Sequence, residues 1–227
     1  MGPGPLVVAI AVIVAACVIY TPLKHILKFL LLRKIARGAL THVGEQAMAK
    51  QPQQIKLTPV TAQWKNEEAV REQASPLAPL GFIELGAFSV DKMPGVLVRM
   101  LFQQQTRVAA HIFEHPAAGT WTELATRYTD GSSDYLSNSP ATGIEMPPWA
   151  RSAKADRTTP TGQLYQRFLS ERRASGMKPT MPADVVPEFE NAYLSFILWK
   201  TNKGITPEEV AQVMVKWAEK KQAARAQ

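Results

Sequence analysis

Residues 5–20, PLVVAIAVIVAACVIY, form an unbroken apolar run that carries no charge. No other feature limits the possible folds as strongly. Sixteen residues of helix reach about 24 Å, and continuation through Leu23 approaches the ~30 Å hydrocarbon core of a bilayer. A transmembrane helix is therefore expected. In the following stretch, Leu23, Ile26, Leu27, Leu30 and Leu31 share one side. Lys24 and Lys28 can extend their ammonium groups from it toward water. Lys24, Lys28, Arg33, Lys34 and Arg37 follow the run with no acid among them, and no cation precedes it. By the positive-inside rule the amino terminus lies outside and the larger carboxy-terminal part is cytoplasmic. The five cations are expected to contact anionic headgroups of the bilayer. VAAC (14–17) resembles a lipoprotein cleavage box, but the charged segment that normally precedes one is missing. Cleavage there would also leave a strongly apolar remainder.

The formal charge of +7 suggests nucleic acid until its location is considered. Residues 51–227 hold 20 basic and 18 acidic side chains, so the folded part is nearly balanced. A nucleic-acid face needs its cations on the domain, so no nucleic-acid partner is expected. The one cysteine, Cys17, lies inside the apolar run, which rules out an intrachain disulfide and a cysteine metal cluster. No phosphate-binding, dinucleotide or EF-hand spacing occurs, and no cofactor is expected.

The remaining pattern is α+β. Residues 1–37 read as anchor and basic juxtamembrane helix, 38–60 as a linker, and 61–227 as one domain. NEEAVREQA (66–74) is a short helix with Asn66 placed to cap it, stopped by SPLAPLG. Alternation of period two then marks strands at 81–90, 96–102, 107–115 and 120–128, with DG at 130–131 a hairpin signal before SDYLSNS. Val96, Val98, Met100 and Phe102 share one face, as do Val108, Ala110 and Ile112. Short connections favour an antiparallel meander of about five strands. Residues 139–160 read as a long loop with Trp149 as its packed anchor. Helices are expected at 159–173, with Thr159 as cap, at 183–200, and at 206–221, where Thr206 and Glu209 form a capping box. These helices are expected to cover one face of the sheet.

HIFEH (111–115) resembles the motif of the inverted zinc peptidases, the insulin-degrading and mitochondrial-processing type. The resemblance implies His111 and His115 as metal ligands, Glu114 as base, and a third ligand at Glu188 or Glu190. It spans five residues. That chemistry needs all three side chains on one helical face. Pro116 disfavours helix at His115, and a period-two pattern turns Glu114 away from both histidines. The residues therefore favour a strand with two histidines on a partly exposed face, and no catalytic or metal site. The expected function is partner or ligand binding at the membrane surface. The alternatives are the zinc peptidase and an accessory subunit packed through small residues such as Ala9, Ala11, Ala15 and Ala16.

Overall fold

The structure, a computed structural model, describes residues 38–42, 46, 51–140 and 144–212. The expected anchor and the cations at 24–37 lie outside these residues. Among the described residues no helix is long and apolar enough to cross a membrane.

Seven strands form one sheet in chain order: β1 (Leu57–Pro59), β2 (Ile83–Val90), β3 (Leu97–Gln103), β4 (Val108–His115), β5 (Gly119–Arg127), β6 (Ser133–Ser137) and β7 (Ala150–Lys154). Neighbours are antiparallel through β6, and β7 runs parallel to β6. The architecture is α+β as expected, with seven strands instead of five. β1 falls in the expected linker, where Ile55 and Leu57 are buried. β7 falls in the expected loop, where its pattern, ARSAK, lacks apolar alternation.

Local chemistry accounts for the turns. The register between β2 and β3 shifts between Glu84 and Gly86, a bulge at which Gly86 adopts a φ of 125°. The DG hairpin is a three-residue connection, 129–131, since Tyr128 N–H donates to Ser132 O and Gly131 takes the left-handed conformation. Asp130 accepts from Ser132 N–H at 2.9 Å, which stiffens the turn.

Both faces of the sheet are covered, not one. On the first face Leu101, Val108, Ala110, Ile112, Leu124 and Leu136 form a core with α1 (Glu67–Ala74), through Val70 and Ala74, and with α2 (Thr161–Glu171), through Leu164, Tyr165 and Phe168. Asn66 caps α1, accepting from Ala69 N–H at 3.0 Å. Pro160, not Thr159, occupies the N-cap position of α2, and no side chain caps that helix. The opposite face carries Phe88, Val98, Met100 and Phe102, over which α3 (Val185–Lys203) lays Val185, Phe189 and Tyr193.

The expected capping box is present, with Thr206 N–H donating to Glu209 Oε2 at 2.9 Å and Glu209 N–H to Thr206 Oγ1 at 3.2 Å. Glu209 also pairs with the ammonium of Lys200, which is buried on α3, and accepts from Glu145 N–H. One carboxylate thus joins α3, the 144–147 segment and the start of the following helical turn. Burial pushes the Glu209 carboxyl up, but Lys200 and the two backbone donors outweigh it and hold it at about 2.

Two outcomes follow. Leu124→Ala removes a fully buried side chain between two layers and is expected to cost about 2–5 kcal/mol in urea denaturation. The Glu209 carboxyl is depressed by folding, so its contribution is complete above the ordinary value of 4.5 and is lost as pH falls toward 2. Hydrogen exchange at residues 204–212 is expected to accelerate across that window, and a Glu209→Gln variant to show no such acid step.

Candidate functional site

The face under α3 is apolar over β1–β4 and mixed over β5 and β6. Strand alternation sends Leu124 to the first core and turns Trp121, Glu123 and Arg127 the other way. Between this face and α3 lies a cleft of about 570 Å³ that reaches from β5 and β6 back to Ile55, Val90 and Val96 and is lined also by Met146, Pro147 and Trp149. That size is typical of small-ligand sites. Its walls are largely aromatic, with Phe113, Trp121 and Tyr135 from the sheet and Phe189, Tyr193 and Phe196 from α3. Phe113 and Trp121 stack with centroids 4.9 Å apart and planes at 17°. The Tyr193 hydroxyl donates to Pro52 O at 2.8 Å, and burial pushes its phenol up to about 12.

Four charged side chains line the cleft, and three of them engage one another. Arg127 donates to Ser133 Oγ at 2.7 Å, to the Tyr135 hydroxyl at 2.6 Å and to Glu188 O at 3.4 Å. Its Nε lies 4.0 Å from the Glu188 carboxylate, and Lys178 Nζ lies 2.7 Å from Glu188 Oε1. That oxygen has no directed hydrogen bond, so the lysine contact is coulombic. The fourth charge, Glu123, sits four residues back along β5, about 13 Å away. It faces His111 across the β4–β5 pair, with Nδ1 3.6 Å from its carboxylate, beyond hydrogen-bond length.

His111 is 1% exposed, and neither ring nitrogen has a hydrogen-bond partner. Its ring meets Phe189 edge-on at 4.9 Å. A void of about 20 Å³, room for one water, borders it together with Arg107, Arg127, Thr180 and Glu188.

An ionic network stands beside the cleft where Tyr128 lines it. Buried Asp134 accepts from the Tyr128 hydroxyl at 2.7 Å, from both arms of Arg151 at 3.0 and 2.7 Å, and from Arg173 N–H at 2.9 Å. Burial raises its carboxyl, and these donors outweigh that to hold it below the ordinary range. The Tyr128 phenol is pushed up to about 12, first by burial and then by Asp134. Arg172 donates to Thr106 O and Thr126 Oγ1, and Arg173 lies over the Tyr128 ring, so both arginines serve contacts within the fold.

The residues of HIFEH are separated by the strand. Glu114 turns toward α1 and accepts from Lys65 N–H at 2.8 Å and Asn66 N–H at 2.7 Å, which fixes the entry to that helix. His115 Nδ1 accepts from Ala117 N–H and Ala118 N–H, each at 3.1 Å, closing the β4–β5 turn. His111 is buried, where a partly exposed histidine was expected. Glu190 accepts from Leu57 N–H at 2.7 Å and ties β1 to α3, while Glu188 faces the cleft. Among the described residues no group of three or more His, Cys, Asp or Glu side chains is arranged to hold a metal ion. Sequence reasoning did not single out Trp121, Glu123, Arg127 or Tyr135. The alternation of TWTELATRY held the signal, since the face opposite Leu124 bears an aromatic, an acid and a base.

Comparison with protein-family models, with curated proteins and with solved structures gives no match.

Glu114→Gln replaces an ionic acceptor of two backbone donors by an amide. It is expected to lower stability by about 1–3 kcal/mol in urea denaturation. Wild-type stability in that variant would contradict the structural role assigned to Glu114.

Proposed function

We propose that the chain is a single-pass membrane protein whose α+β domain, held on the cytoplasmic side, binds a small ligand with an apolar body in the cleft beneath α3. The observation that carries this reading is the aromatic cleft of about 570 Å³, with its few charges gathered on β5, α3 and Lys178. Apolar walls with a small number of placed polar groups are the usual form of a ligand site. The apolar run at 5–20 and the acid-free cations from Lys24 to Arg37 support the tether and its orientation. The near-balance of charge beyond residue 50 supports a domain that meets lipid only through the juxtamembrane block.

Two measurements test the reading. Ala192 lines the cleft from α3, so Ala192→Trp obstructs it and Ala192→Leu narrows it less. Calorimetry of the full chain in lipid nanodiscs with phenylbutanol, an uncharged aromatic probe, is expected to show saturable binding. Ala192→Leu should weaken it and Ala192→Trp abolish it, with unchanged circular dichroism. Equal binding by all three proteins would remove the cleft from consideration. Protease added outside intact cells is expected to leave the domain whole, and digestion there would reverse the proposed orientation.

A further inference from the structure

The charges of the cleft are unevenly satisfied. Arg127, Lys178 and Glu188 form one interacting set with a net positive charge, and Arg127 is further engaged by Ser133 and Tyr135. Glu123 has no comparable company. Among the described residues its carboxylate meets no lysine or arginine within ion-pair distance, His111 Nδ1 lies 3.6 Å from it, and Ser137, opposite it on β6, donates its hydroxyl to Thr122 O. The carboxylate lines the cleft, with 28% of its side chain exposed.

A carboxylate held in an apolar cleft loses much of its hydration and gains little in return unless a donor approaches. The aromatic surroundings reinforce this preference. Trp121 shares the cleft-facing side of β5 with Glu123, and Phe113 stacks on Trp121. The faces of aromatic rings carry negative electrostatic potential, which attracts cations and offers nothing to anions. His111 points the same way. Its ring is buried, and neither nitrogen accepts or donates a hydrogen bond within the protein. The imidazole thus stands beside the carboxylate without tying it up in a hydrogen bond.

We propose that Glu123 is the recognition point for an organic cation, so that the ligand of the cleft is an amine with an apolar body, its ammonium on the Glu123 carboxylate and its body among the aromatic walls. This rests on the cleft being the binding site. It goes further in fixing the charge of the ligand and the residue that reads it. An ammonium donates directly to a carboxylate oxygen, whereas a carboxylate ligand placed there would set two anions together. An alcohol supplies a donor without the charge.

The experiment uses three probes with one apolar body, phenylbutylamine, phenylbutanol and phenylbutyrate, titrated into the full chain in lipid nanodiscs. Wild-type protein, Glu123→Gln and Ala192→Trp are compared, with circular dichroism confirming each fold. The amine is expected to bind about tenfold or more tightly than the alcohol, the conversion being about 1.4 kcal/mol per decade, and the carboxylate most weakly. Glu123→Gln is expected to erase the preference for the amine, so that amine and alcohol bind that variant about equally, and Ala192→Trp to weaken every probe that binds. Equal binding of amine and alcohol by wild-type protein overturns the assignment of Glu123, as does an amine preference that survives Glu123→Gln. If Ala192→Trp still weakens both probes in those cases, the cleft stands as the site and only the charge preference fails. Absence of binding by all three probes, or indifference to Ala192→Trp, overturns the cleft and the cation together.

Discussion

Strands β3 and β4 carry apolar side chains on both of their faces, and the rest of the fold answers to that constraint. Val98, Met100 and Phe102 point one way, and Leu101, Val108, Ala110 and Ile112 the other. A sheet with two apolar faces must be covered twice, because water on either side would forfeit the burial that stabilises it. Helices α1 and α2 cover the first face from opposite ends of the meander in sequence, and α3 covers the second. The second face is apolar mainly over the first four strands and mixed over β5 and β6. The cleft lies where one helix covers a face of two compositions, reaching from Val90 and Val96 to Glu123 and Arg127.

That origin explains which parts were legible in the residues. β2 to β6 and helices α1 to α3 announce themselves through period two or through helical spacing, since each buries a regular face. β1 and β7 do not. β1 is three residues long, and β7 reads ARSAK, an edge strand paired with β6 alone and with little apolar surface to bury. Its place depends on Asp134 and Arg151 meeting across the β6–β7 pair, a tertiary fact that leaves no periodic trace. Coverage of one face or two was equally hidden, although the Val98 and Ile112 sets, taken together, imply two cores.

Charge within the domain is spent internally. Arg151 and the Arg173 backbone hold buried Asp134, Arg173 pairs with Asp130 as well, Lys200 is buried against Glu209, and Lys203 meets Glu145. The contacts of Asp134 and of Lys200 with Glu209 are buried, and breaking them leaves a lone charge behind, which makes them effective at fixing one arrangement of segments with few apolar contacts, whereas the exposed Arg173–Asp130 and Lys203–Glu145 pairs add little. The segments they join are those the hydrophobic pattern leaves undetermined: the 144–154 stretch, the end of α2, and the turn at 206–209. This internal pairing agrees with the near-neutral composition beyond residue 50.

The five residues that most resembled a catalytic motif show how a strand distributes function. Alternation sends Glu114 to the first face, where two backbone donors at the start of α1 take it, and sends His111 and His115 to the second. Of these, His115 is consumed by its turn and His111 is buried beside Glu123. A helix would have gathered the three side chains, and a strand parts them. The same alternation, repeated on the neighbouring strand, assembles a different set, Trp121, Glu123 and Arg127, on one wall of the cleft. None of these is conspicuous in a linear reading. Their adjacency to His111 arises from the β4–β5 register, in which His111 lies opposite Glu123 and Phe113 opposite Trp121. The residues proposed to recognise a ligand therefore come together through cross-strand pairs, and a shift of that register by one residue would turn the whole set into the opposite core.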